Sequence, residues 1–248
     1  MRHTRNIRLL LEYDGTRYHG WQRQKNADTI QEVVETALGR LTGEEVRLIG
    51  SGRTDAGVHA LGQVANFHTG SRIPLKAFHE GLNSMLPWDI AVLAASEAPS
   101  DFHARKAARA KTYEYRILNR PTRSPVHHHY AWWLGLPLDL GAMLKAAAAL
   151  PGEHDFTAFR ASGSDNLNPV RRVLKAEWRQ HPGGRLSFHI TANGFLRGMV
   201  RSLVGTMAEI GKGKAPPKTL EELLHSRDRH RAGPTAPPQG LFLVEVVY

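Results

Sequence analysis

Two hydrophobic periods interleave along both halves of this chain, and neither follows the other in strict alternation. Residues 7–13 are rich in Ile and Leu and stop at Asp14-Gly15, the pattern of a strand entering a turn. Residues 29–32 read Thr-Ile-Gln-Glu, a capping box, and Ile30, Val33, Val34, Ala37, Leu38 and Leu41 follow at helical spacing. Short strands are expected over 46–49, 63–68 and 90–95, with a helix over 75–86 that Pro87 stops. In the second half, Tyr113, Tyr115 and Ile117 alternate with Thr112, Glu114 and Arg116, the period of a half-buried strand. An Ala-rich helix over 139–150 ends at Pro151-Gly152, and two strands, 173–178 and 186–191, flank a Pro-Gly-Gly turn. Residues 195–210 carry an apolar stripe of Leu196, Met199, Val200, Leu203, Val204, Met207 and Ile210, which predicts a long helix. Residues 241–247 predict a final strand.

A parallel doubly wound sheet needs strand and helix to alternate, and this order does not. The pattern therefore predicts an α+β protein with two mainly antiparallel sheets, each covered by helices. The expected boundary falls near residues 100–108, giving domains over 1–104 and 105–248. Residues 212–218 and 227–238, rich in Pro and basic residues, are expected to be the loosest.

Composition narrows the function. The 248 residues carry 33 Lys and Arg against 23 Asp and Glu, a net charge of +10. That surplus favours a polyanionic partner, nucleic acid before an anionic membrane surface. The chain has no cysteine, which excludes disulfides, thiolate metal sites and cysteine nucleophiles. Residues 1–14 lack the apolar core of a signal peptide and no segment approaches a membrane span, so the cytoplasm is the expected location.

The chemistry concentrates in Gly50-Ser-Gly-Arg-Thr-Asp-Ala-Gly57. Glycines free the backbone for angles other residues resist and let a ligand approach closely. No Gly-Lys-Ser/Thr follows, so this is not a nucleotide P-loop, and Asp55 stands where a Rossmann fingerprint needs its third glycine. The segment is either a tight turn capped by Asp55 or a rigid loop presenting an exposed carboxylate beside a cation. A carboxylate serves as nucleophile or base when a neighbour keeps it ionised. Arg53 is close in sequence. Arg197 and Arg201 flank the apolar stripe of the long helix, where they either reach into a cleft or lie solvated along the helix face.

Arg105, Lys106, Arg109 and Lys111 lead into Tyr113 and Tyr115. Cations that meet phosphates, followed by rings that stack on unpaired bases, suit RNA; one buried face of the strand would equally make a tyrosine part of the core. The His127-His-His129 run has no carboxylate or cysteine partner at metal-ligand spacing, and three consecutive residues on a strand cannot all face one ion.

Gly52-Arg-Thr-Asp-Ala-Gly-Val-His-Ala60 followed by Gly62-Gln-Val resembles the catalytic signature of the tRNA pseudouridine synthase A family. The likeness continues in order: Tyr13-Asp-Gly-Thr, Gly20-Trp-Gln-Arg-Gln24, Phe102-His-Ala-Arg105, Lys111-Thr-Tyr-Glu-Tyr115, Met199-Val-Arg-Ser-Leu-Val-Gly205 and Ala236-Pro-Pro-Gln-Gly-Leu241. Asn66 departs from the pattern, where a His or another polar residue is more usual. The resemblance implies two ferredoxin-like, RRM-like α/β domains with a central active-site cleft. It implies isomerisation of uridine to pseudouridine in the anticodon stem-loop of tRNA, by a homodimer, with no cofactor or metal. It makes Asp55 the nucleophile, Tyr113 the ring on the target base, Arg201 the partner of the carboxylate, and Arg53 a residue that holds the base out. Arg105, Arg109, Lys111 and Arg197 are the expected contacts to the RNA backbone. A non-catalytic RNA-binding module is the alternative.

Overall fold

The computed structural model describes residues 4–161 and 168–248. The chain divides into two compact units, Met1–Arg109 with Leu243–Tyr248, and Ala110–Phe242. Strand and helix mix in both, and the sheets are largely antiparallel, as the periodicity predicts.

In the first unit, β1 (Arg5–Tyr13) is the middle strand between β4 (Ile90–Ala98) and β3 (His59–Thr69), antiparallel to both. The short β2 (Ile49–Gly50) also pairs with β3, and residues 243–247 of β10 (Leu241–Val247) lie beside β3. Ile7, Leu9, Leu11 and Tyr13 alternate inward along β1 and are buried. Ile30, Val34, Ala37 and Leu38 of α1 (Ile30–Thr42) are buried as well, and α1 packs beside the helix over 75–85. That second helix includes a π-helical turn, Ala77–Gly81, that runs into α2 (Leu82–Met85). Phe78, in the π turn, packs edge-on against Phe67 of β3 at 5.5 Å.

The capping box does not form. Thr29 has the extended backbone of an N-cap, φ −133° and ψ 150°, but makes no side-chain cap bond. Among the described residues its hydroxyl is the one buried side-chain polar atom without a hydrogen-bond partner. Glu32, the other half of the box, turns instead to Arg23 at 3.3 Å.

Asn66, the departure from the family pattern, has a structural task. On the sheet face opposite the helices it is fully buried and bonds Asn6 Oδ1 at 2.9 Å. Its Oδ1 accepts from Ala104 N at 2.8 Å, while Asn6 Nδ2 donates to the carbonyls of Pro99 and Phe102 at 2.8 and 2.9 Å. Two buried amides thus pin residues 99–104 across the sheet. Tyr248 adds to this cover: its ring packs on Phe102 at 5.1 Å and its hydroxyl donates to Ala104 O at 2.9 Å.

In the second unit the strand order is β5 (Ala110–Asn119), β9 (Arg185–Ala192), β8 (Val170–His181), β7 (Gly152–Asp155), each antiparallel to the next. The short β6 (Trp132–Leu134) runs parallel to β5. The β8–β9 hairpin turns through Gly183 and Gly184, both at positive φ. Tyr113, Tyr115 and Ile117 of β5 are buried while Thr112, Glu114 and Arg116 are not, so the period of two is realised. The covering helices are α3 (Leu140–Ala147), α4 (Met199–Gly211) and α5 (Thr219–Ser226). Asp139 caps α3 by accepting from Ala142 N at 2.9 Å.

Three expectations change here. The long helix starts at Met199 and not at residue 195, because Gly198 sits at φ +71°, a left-handed angle that a helix cannot contain. Residues 227–238 are not loose: Arg227 pairs with Asp155 at 3.0 Å, Ala236 is buried, and Gly233 N donates to Thr206 Oγ1 at 3.0 Å. The His127-His-His129 run lies on an exposed turn and not on a strand.

Candidate active site

The loop that carries Asp55 leaves β2 at Gly50 and enters β3 at His59. Three of its backbone groups are held by other segments of the first unit. Ser51 N donates to Val64 O at 2.7 Å, Trp21 N donates to Thr54 O at 3.1 Å, and Gly57 N donates to Tyr18 O at 3.2 Å. Val58 N closes a turn on Asp55 O at 3.1 Å, and Gly57, its third residue, has a φ of +74°. A positive φ at that position is what selects glycine there.

Buried side chains brace the same loop. Gln63 accepts from Ser51 Oγ at 2.6 Å and donates to Gly52 O at 3.0 Å. Tyr13 and Thr54 join hydroxyls at 2.9 Å, and the Tyr13 ring lies against Trp21 at 6.1 Å. Burial pushes the Tyr13 phenol far above its ordinary range, so it stays a neutral member of this network. Two further glycines let neighbouring backbone touch the loop: a Cβ on Gly15 would stand 2.0 Å from Val58 O, and one on Gly20 would stand 2.6 Å from Thr54 O. Asp55 itself is half-buried and Arg53 is exposed. The carboxylate therefore sits on a loop with little freedom, partly open to solvent, with Arg53 two residues away.

In the second unit, Tyr113 is 8% exposed on β5, its ring edge-on to Phe195 at 4.9 Å. Arg201 is half-buried in the first turn of α4. Its Nε donates to Ala236 O at 2.7 Å, and Ala236 N donates back to Arg201 O at 3.0 Å. Tyr115, fully buried one pleat along from Tyr113, donates its hydroxyl to Pro237 O at 2.7 Å. The strand and the helix thus converge on two consecutive residues, Ala236 and Pro237.

The basic residues divide by exposure. Arg105, Arg109 and Arg197 are exposed and Lys111 is half-buried on β5. Arg197 lies ahead of Gly198, in the turn before α4, so it does not share a helix face with Arg201. The sequence reading missed the braces of the Asp55 loop. Tyr13, Trp21 and Gln63 all stand in segments that carry the family likeness, but which of them touch the loop is a matter of long-range packing. Among the described residues no cluster of three His, Asp or Glu could hold a metal ion, and no helix is long and apolar enough to cross a membrane.

With this geometry in hand, comparison with known proteins places the chain. It matches the family model described as tRNA pseudouridine synthase over residues 10–105 and 146–248, and the chain belongs to that family. Its full-length relatives narrow the branch: tRNA pseudouridine synthase A of Thermoanaerobacter sp. (strain X514) is 48% identical over 244 residues, 98% of this chain and 100% of that protein. The proteins of the same name from Caldicellulosiruptor bescii and Myxococcus xanthus are each 49% identical, over 98% of this chain and 100% and 91% of their own lengths. Among solved structures, the archaeal box H/ACA sRNP Nop10-Cbf5 complex gives a TM-score of 0.38 at 12% identity, over 80% of this chain and 44% of that one.

Proposed function

We propose that this protein isomerises uridine to pseudouridine in the anticodon stem-loop of tRNA, with Asp55 as the nucleophilic carboxylate. The observation that carries the reading is the Asp55 loop: a partly open carboxylate on a backbone fixed by Trp21, Tyr18, Gln63 and close glycine contacts. Pre-set geometry of this kind lowers the entropy lost in reaching the transition state. The reaction breaks the C1′–N1 glycosidic bond, rotates the detached uracil and joins C1′ to C5. The C5 proton leaves to water and N1 gains one, so nothing is oxidised and no cofactor is consumed.

The second unit supplies the other roles in this reading. Tyr113 stacks on the extruded base and assists proton transfer at C5. Arg201 pairs with the carboxylate, and Arg53 holds the base out of its helix. The two units act as ferredoxin-like domains, the first with the acid loop and the second with the tyrosine strand and arginine helix. Taking a nucleotide out of a stem costs about a few kcal/mol. Contacts from Arg105, Arg109, Lys111 and Arg197 to phosphates offset that cost, and the net charge of +10 suits them. A cytoplasmic homodimer completes the proposal.

The test uses unmodified tRNA carrying tritium at uracil C5. The wild-type protein is expected to release label into water. Asp55→Asn is expected to release none while its tRNA affinity stays within about threefold, since the amide keeps the shape of the side chain and removes only one negative charge from a polyanion-binding surface. Label release by Asp55→Asn at the wild-type rate would remove Asp55 from the mechanism, and tRNA binding without release by the wild type would favour the binding-module reading.

A further inference from the structure

Resting on the reading that Arg201 serves the catalytic carboxylate, we infer that residues 229–237 form a strap that sets the orientation of the Arg201 guanidinium. Arg229 is then a positioning residue for the isomerisation.

The pairing of Arg201 with Ala236 is reciprocal. The side-chain Nε donates to the Ala236 carbonyl at 2.7 Å, and the Ala236 N–H donates to the Arg201 carbonyl at 3.0 Å. A guanidinium is planar, so fixing Nε–H fixes the plane and aims the two terminal nitrogens. One residue of the strap therefore holds both the main chain of Arg201 and the direction of its fork.

The strap approaches α4 with bare backbone. A Cβ on Gly205 would stand 1.7 Å from Pro234 O, and one on Gly233 would stand 2.7 Å from Thr206 Cα. Only glycine at both places permits this approach. Gly233 N also donates to Thr206 Oγ1 at 3.0 Å, and the buried Tyr115 hydroxyl holds Pro237 O at 2.7 Å. Burial raises the Tyr115 phenol far above its ordinary range, which keeps it a donor.

Arg229 joins the two sides. One terminal nitrogen donates to Ser202 Oγ and lies 3.4 Å from Ala158 O; the other donates to Thr235 Oγ1 at 2.9 Å. Ser202 is the neighbour of Arg201, and Thr235 is the neighbour of Ala236. The Arg229 fork thus bridges the residues next to both halves of the Arg201–Ala236 pair. A lysine, with one compact head, cannot span the two acceptors in the same way. Ser202 is 1% exposed, so its hydroxyl has few alternative partners.

The experiment compares Arg229→Lys, Thr235→Val and Arg201→Ala in the full-length protein. Thr235 is exposed, so Thr235→Val cuts the bridge with little risk to folding. The readouts are the single-turnover rate on tritiated tRNA, the tRNA dissociation constant, and the exchange rate of the Arg201 Nε–H proton by NMR. Arg229→Lys and Thr235→Val are each expected to slow the chemical step about tenfold, a part of the ~10²-fold that a misplacement of about 1 Å costs. Affinity for tRNA should stay within about twofold and the Nε–H proton should exchange faster. In the Arg201→Ala background, Arg229→Lys should add nothing, because a shared route removes additivity.

Wild-type rates in both bridge variants, with Arg201→Ala inactive, would overturn the strap and leave the role of Arg201 standing. A rate loss from Arg229→Lys that persists in full without Arg201 would also overturn it, since the effect would then be general to the fold. A fully active Arg201→Ala would instead remove the reading on which the inference rests.

Discussion

The acid loop of the first unit and the arginine helix of the second are held by different means. Around Asp55 the restraint is dense and combines main-chain bonds to Val64, Trp21 and Tyr18 with a buried side-chain network of Ser51, Gln63, Tyr13 and Thr54, on which Trp21 packs. Around Arg201 the restraint is one strap, whose carbonyls at Ala236 and Pro237 accept from Arg201 and Tyr115 and which Arg229 ties to Ser202 through Thr235. The first arrangement resists displacement because breaking any member strands a buried polar group, at about 1–3 kcal/mol. The second depends on a small set of bonds along one segment, Arg201 to Ala236, Tyr115 to Pro237 and Arg229 to Thr235.

Four measurements break or sharpen this contrast. Tyr113→Phe carries the largest expected effect, a loss of about 10²–10⁴-fold in the single-turnover rate if the hydroxyl moves a proton. Because Tyr113 is already packed against Phe195, tRNA affinity and Tm should hardly change, and a rate within threefold of wild type would reduce Tyr113 to a packing residue.

Next come Gly15→Ala and Gly205→Ala, which press a methyl group onto Val58 O and Pro234 O respectively. Both should lower stability by about 1–3 kcal/mol through overpacking, measured by denaturant titration. Gly15→Ala displaces the segment that follows Asp55, and kcat should fall on the order of 10²-fold. Gly205→Ala lets the strap move aside, so a smaller kcat loss is expected. Equal losses would mean that the two supports are equally stiff.

Tyr13→Phe and Tyr115→Phe test the hydroxyls themselves. Tyr13→Phe leaves the buried Thr54 hydroxyl without its partner and Tyr115→Phe leaves Pro237 O short of a donor, at about 1–3 kcal/mol each, read as a shift in Tm. The kcat of Tyr13→Phe should fall further than that of Tyr115→Phe, because Thr54 is next to Asp55, whereas Pro237 reaches Arg201 only through Ala236.

The smallest effect concerns pH. Burial lowers the affinity of His189 for a proton below that of an unfolded histidine, chiefly by desolvation, although Glu114 pulls the other way. Between the folded value and 6.5 the unfolded chain binds the extra proton, so stability rises with pH across that window and falls as pH drops below 6.5. His189→Gln should flatten this part of the Tm–pH curve. An unchanged curve would mean that His189 keeps its proton equally well in both states. The neighbouring side chains in the network are His181 and Ser187, bonded at 2.7 Å.

Local pattern specified much of this protein. Alternation of Tyr113, Tyr115 and Ile117 fixed which face of β5 is inward, since neighbouring residues on a strand point to opposite sides. The glycine-rich run marked the acid loop because positive φ and close approach restrict the residue type, as Gly57 and Gly15 show. Ordered motifs across the chain placed it in its family. Tertiary structure decided the rest. A strong pattern such as Thr29 to Glu32 did not make its cap: Thr29 Oγ1 is buried without a partner and Glu32 pairs with Arg23. The apolar stripe ran through Leu196, yet α4 starts only after Gly198. Residues 219–226 hid a helix whose Leu220, Leu223 and Leu224 are buried. The basic, Pro-rich tail became a strap only because Gly205 and Gly233 admit it against α4. The terminal residues 243–248 belong with the first unit, since strand pairing and the Tyr248 contacts join residues more than a hundred positions apart. Periodicity is a property of neighbours in sequence and can be read there. Which distant backbone fills a glycine's empty space is a property of packing, and no local pattern encodes it.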